Sequence, residues 1–133
     1  MGEEWRFRGY VTPSGVSDVQ RWIDALEGAA RDELEDVLAY LRISNVGDWK
    51  RPYFGPMKHG LHEIRFNHAN VEYRIFGAFG PGQQQFSMLV GAAKTHGKGR
   101  GKTKYVPKNA IKTARSRKRE LDQNAARTTE IVV

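Results

Sequence analysis

With 133 residues the chain is long enough for one domain and too short for two independent cores. It contains no cysteine, which excludes disulfides, iron–sulfur clusters, thiolate zinc sites and cysteine nucleophiles, and fits a reducing cytoplasmic setting. The net charge of +7 is uneven: residues 1–93 carry 10 Lys/Arg against 12 Asp/Glu, whereas residues 94–133 carry 12 against 3.

A balanced body with a basic C-terminal third suits a polyanion, nucleic acid above all. The plainer reading is a solvated basic tail. No apolar run approaches the roughly 20 residues of a membrane span, and Met-Gly-Glu-Glu-Trp lacks signal-peptide character, so no membrane partner is expected.

In chain order, Trp5 to Val11 opens with apolar–polar alternation and stops at Thr12-Pro13-Ser14-Gly15, a short strand and a turn. Ser17 and Gln20 have capping-box spacing. Val19, Trp22, Ile23 and Leu26 then form one helical stripe, and Leu34, Val37, Leu38 and Leu41 form a second. The two read as a helical hairpin joined through Gly28-Ala29-Ala30 and laid on a sheet.

Ser44 to Gly60 reads as a loop, whose Trp49, Tyr53 and Phe54 either stack nucleobases or, the better reading, cover a sheet edge. Three strands follow. Leu61–Phe66 and Val71–Phe79 flank the turn formers Asn67-His68-Ala69-Asn70, and Gln85–Ala93 follows Gly80-Pro81-Gly82.

Strand parity puts His62, Ile64, Tyr73 and Ile75 on the helix-covered face and leaves Glu63, Arg65 and Arg74 on an opposite, mostly uncovered one. Residues 94–106 alternate glycine with base and read as a flexible loop. A basic helix is expected from about Lys108 to Asp122, and residues 124–133 read as a disordered end. The expected fold is α+β: an N-terminal strand, a helical hairpin, a three-stranded antiparallel meander and a basic C-terminal helix, one domain over 1–123.

The segments Gly60-Leu61-His62-Glu63-Ile64-Arg65-Phe66 and Glu72-Tyr73-Arg74-Ile75-Phe76, then Lys94-Thr95-His96-Gly97-Lys98 and Pro107-Lys108, occur in an order that resembles the RelE/HigB toxins of type II toxin–antitoxin systems, in particular a phage-derived branch. The chain departs from that branch in the Gly/Lys insertion over Gly99–Lys104. The resemblance implies a ribosome-dependent, metal-independent mRNA endoribonuclease without cofactor. Its partners would be a small helix-turn-helix antitoxin and mRNA on the ribosome, with operator DNA reached only through the antitoxin complex. Two other classes remain open: a toxin of the same fold that acts on gyrase by binding, and a basic nucleic-acid-binding accessory protein.

Cleavage of this kind is attack of the ribose 2′-OH on the adjacent phosphate, leaving a cyclic phosphate and a 5′-OH. It needs a base, cations around the phosphorane and an acid. Arg65 and Arg74 supply guanidinium forks and are expected to repel one another unless an anion lies between them. Lys94 and His96 close the next strand, His96 with the unperturbed pKa nearest neutrality. Tyr105 is placed to stack on a base or donate a proton. Glu63, which aligns with a lysine in well-known relatives, is either a base or a partner for Arg65. Lys98, Arg100, Lys102, Lys104, Lys108 and Arg115 are the expected RNA-backbone contacts. The structural alternatives are a surface Glu63–Arg65 ion pair, an Arg74 paired with an acid, a packed His62, and inert His59 and His68. No histidine has a carboxylate at metal-ligand spacing, so no metal is expected.

Overall fold

A computed structural model describes residues 4–96 and 103–133. The chain is mixed α+β, with three α-helices and a seven-stranded sheet among the described residues. The strands are β1 (Arg6–Tyr10), β2 (Phe54–Pro56), β3 (His62–His68), β4 (Val71–Phe79), β5 (Gln85–His96), β6 (Thr103–Val106) and β7 (Thr128–Glu130). The helices are α1 (Asp18–Asp24), α2 (Gly28–Ile43) and α3 (Ala110–Gln123). No helix among the described residues is long and apolar enough to cross a membrane.

The sheet runs β2-β3-β4-β5-β1-β7, with β6 also paired to β5. β5 is long enough to take two partners along one side. Its first residues pair in parallel with β1 (Phe86 opposite Phe7), and its last pair with β6 (Lys94 opposite Tyr105). β3 and β4 are joined by Ala69-Asn70, both with positive φ (49° and 66°), the backbone of a two-residue hairpin turn with the twist the strands require. The hairpin loop is therefore two residues, not the four expected, and β3 extends to His68.

Both faces of the sheet are covered. α1 and α2 press Val19, Ile23, Leu34, Val37, Leu38 and Leu41 onto the face of Phe7, Ile64, Phe66, Ile75 and Met88. Their closeness depends on Gly91, where Trp22 lies against the backbone in the space a Cβ would need. On the other face, α3 seats Ala110, Ala114 and Leu121 against Leu61, Phe76, Leu89 and Ala92. Arg117 fastens α3 there: Nη1 donates to the Leu89 carbonyl at 2.8 Å, Nη2 meets Asp18 at 2.6 Å, and the guanidinium lies 4.9 Å from the Tyr10 ring centroid.

Several expectations are corrected. The face of Glu63, Arg65 and Arg74 is not mostly uncovered, because α3 folds back over it. Gly28-Ala29-Ala30 is the first turn of α2 rather than the joint between helices. The 44–60 segment contains β2, which pairs with β3, and its Trp49 and Phe54 are buried while Tyr53 stays exposed. Beyond Ala93, β5 continues to His96 and β6 returns beside it, so strands bracket the expected basic loop. The final residues are not a loose end: β7 pairs with β1, and Ile131 and Val133 pack against the core.

Candidate active site on the second sheet face

The two-residue period of β3 and β4 puts Glu63, Arg65, Glu72 and Arg74 on one face. Arg65 lies directly opposite Arg74, Glu72 opposite Lys94, and Lys94 opposite Tyr105. Four consecutive strands thus carry two carboxylates, three cations and a phenol to one patch.

Arg74 is the centre of the patch and is 2% exposed. All three of its nitrogens are engaged. Nη1 donates to its neighbour Tyr73's carbonyl at 2.8 Å, Nη2 meets Glu72 Oε1 at 3.3 Å, and Nε lies 3.8 Å from Glu63 Oε2. The other Glu63 oxygen lies 3.4 Å from Arg65 Nε, so one carboxylate bridges both guanidiniums. The expected repulsion between the arginines is met inside the protein, by Glu63, and needs no bound anion. Glu72 extends the chain outward, its second oxygen 3.9 Å from Lys94 Nζ. The Arg65 and Lys94 side chains remain 19% and 20% exposed and form the solvent-facing rim.

Tyr105 stands at the end of the row with its ring edge-on to Phe76, centroids 5.1 Å apart. Burial, and next the Glu63 carboxylate, raise its phenol above the ordinary value of 10.0, against the opposing pull of Arg74 and Arg65. At neutral pH it is an un-ionised hydroxyl, fit to donate a proton and unfit to act as a base.

The remaining candidates divide. His96 closes β5 in register with Thr103. Lys98, Arg100 and Lys102 lie outside the described residues. Lys104 is exposed on β6, Lys108 is exposed before α3, and Arg115 is half-buried on it. His62 lies in the core-side aromatic cluster, stacked on Phe54 (5.4 Å, 15°) and edge-on to Phe79 (4.9 Å, 69°). His59 and His68 sit in a turn and at the end of β3.

Sequence reasoning missed Glu72, although the parity that groups Glu63 with Arg65 also puts Glu72 beside Arg74.

Two comparisons with known proteins bear on the chain. The family model described as phage-derived protein Gp49-like (DUF891) matches residues 21–119, from the middle of α1 to the last turns of α3, and so includes the whole charge cluster. No curated protein matches the sequence.

Proposed function

The chain belongs to the phage-derived Gp49-like family, and from that premise we propose that it is the toxin of a toxin–antitoxin pair, a ribosome-dependent mRNA endoribonuclease working without a metal. The observation that carries the reading is the patch itself. Arg65 and Lys94 are partly exposed on either side of a buried arginine that two carboxylates hold in place, with a neutral phenol in the same row.

In the proposed reaction the ribose 2′-oxygen bonds to the adjacent phosphorus and the bond to the 5′-oxygen breaks. Arg65 and Lys94 gain most from the phosphorane, where negative charge is greatest. Tyr105 returns a proton to the leaving 5′-oxygen. The 2′-hydroxyl proton needs an acceptor, the role the sequence reading gives His96. Glu63, with an arginine at each oxygen, positions cations rather than taking a proton. Arg74 changes role from the sequence reading: it supports the patch from below and does not face the phosphate. A small antitoxin would keep the protein silent.

One observation favours a second reading. With Arg74 buried and two carboxylates in the patch, only part of the cationic charge is left for a phosphate, which suits a toxin that binds its target without cutting. Mapping of mRNA 5′-ends after brief induction in cells separates the two. Cleavage expects new ends inside translated regions within minutes; growth arrest without new ends supports binding alone.

A further inference from the structure

The outer face of α2 lies across the sheet from the charge cluster and takes no part in it. α2 buries Ala30, Leu34, Val37, Leu38 and Leu41. Its outward strip begins with Asp32, Glu33, Glu35 and Asp36, all exposed, and none of the four meets an ion-pair partner among the described residues. The strip then turns apolar, with Tyr40 45% and Ile43 74% exposed. The next segment enlarges it. Trp49 Nε1 donates to the Leu41 carbonyl at 2.9 Å, which folds the Val46–Asp48 turn back onto the end of the helix. Val46 (48% exposed) opens that turn three residues after Ile43, and Tyr53 (42%) joins the patch, its ring centroid 5.7 Å from that of Tyr40. Four of the seven large apolar side chains exposed among the described residues gather here, a grouping that marks an interaction surface rather than scattered exposure.

Charge decides the occupant. Asp36 lies one helical turn before Tyr40, so a phosphodiester backbone stacking its bases on the tyrosines would run along carboxylates. α3 carries the opposite balance, with Lys112, Arg115, Arg117, Lys118 and Arg119 against Glu120 and Asp122. Nucleic acid belongs on that side. We infer that the outer face of α2, with Val46 and Tyr53, docks a basic amphipathic segment of a partner protein. Its aliphatic side chains cover Tyr40, Ile43 and Val46, and its lysines or arginines lie along Asp32 to Asp36. The inference stands apart from the cleavage reading, because the two surfaces share no residue.

The test is a titration of the isotope-labelled full chain with two helical peptides of equal length, one of leucine and lysine, the other of leucine and glutamate, followed amide by amide by NMR. The lysine peptide should move resonances of α2 and residues 44–53 while leaving β4 and α3 in place, and should weaken with salt. The glutamate peptide should not affect this face. Tyr40→Ser combined with Ile43→Ser, both at exposed positions, should lower the affinity at least tenfold. Equal response to both peptides, shifts confined to other faces, or unchanged affinity in the double variant overturns the inference. So do shifts on this face caused by a single-stranded RNA, or by raising the protein concentration alone, which would give the surface to RNA or to a second copy of the chain.

Discussion

Arg74 is a buried cation shared by two carboxylates, each of which also has a second cation, Arg65 for Glu63 and Lys94 for Glu72. Arg74→Ala empties a buried position and leaves Glu63 with Arg65 alone, at a cost of about 2–5 kcal/mol. Chemical denaturation should show that loss, and Arg74→Lys should recover only part of it because the fork is gone. A variant as stable as the wild type would contradict the supporting role. His62 gives a second prediction at this scale. Its imidazole is held below the usual 6.5 by burial, and its Nδ1 is buried without a hydrogen-bond partner. A depressed folded value means that the contribution to stability is complete above pH 6.5 and is lost as pH falls through the folded value. Urea unfolding at pH 7 and pH 5 should therefore show a drop that His62→Gln reduces; identical drops would remove His62 from the account. Parity in the sequence was enough to group Glu63, Arg65 and Arg74, and to send His62 to the packed side. The burial of Arg74 was not legible, because it depends on where α3, some forty residues later in the chain, comes to rest.

At the scale of elements, α3 and β6 turn a strand face into a site. Ala110, Ala114 and Leu121 hold the helix by a narrow apolar seam, and Arg117 reaches through to the Leu89 carbonyl. Losing that charge-assisted bond costs about 1.5–3 kcal/mol. Arg117→Ala should therefore raise amide exchange in α3 and β6 ahead of α2, and uniform protection across the molecule would contradict it. Periodicity located α1 and α2 well, since each shows one clean stripe against a single sheet face. The basic helix expected from about Lys108 to Asp122 is α3 at Ala110–Gln123, but its short apolar seam does not tell from the sequence which sheet face it covers. β6 and β7 were unreadable for another reason. Each is only three or four residues long, too short for alternation to register, and each pairs along the edge that a neighbouring strand offers.

Across the whole molecule the sheet separates two layers of opposite charge, α2 with four acids against two arginines and α3 with five bases against two acids. If the basic layer carries RNA backbone, neutralising the exposed Lys104, Lys108, Lys112 and Arg119 together should flatten the salt dependence of ribosome or RNA binding. Each lost phosphate contact on a single strand lowers the logarithmic slope by roughly 0.7. Cleavage positions should not change, because phosphate contacts carry no sequence information. An unchanged slope would make these bases a solvated face and nothing more. The central claim concerns the rim of the patch, Arg65 and Lys94, which are less deeply buried than Arg74. The direct measurement is single-turnover cleavage of mRNA on programmed ribosomes by purified wild type, Arg65→Ala and Lys94→Ala, each first shown to melt as the wild type does. Loss of one phosphorane-facing cation should slow cutting by on the order of 10²–10³. Folded variants that cut at the wild-type rate would contradict it.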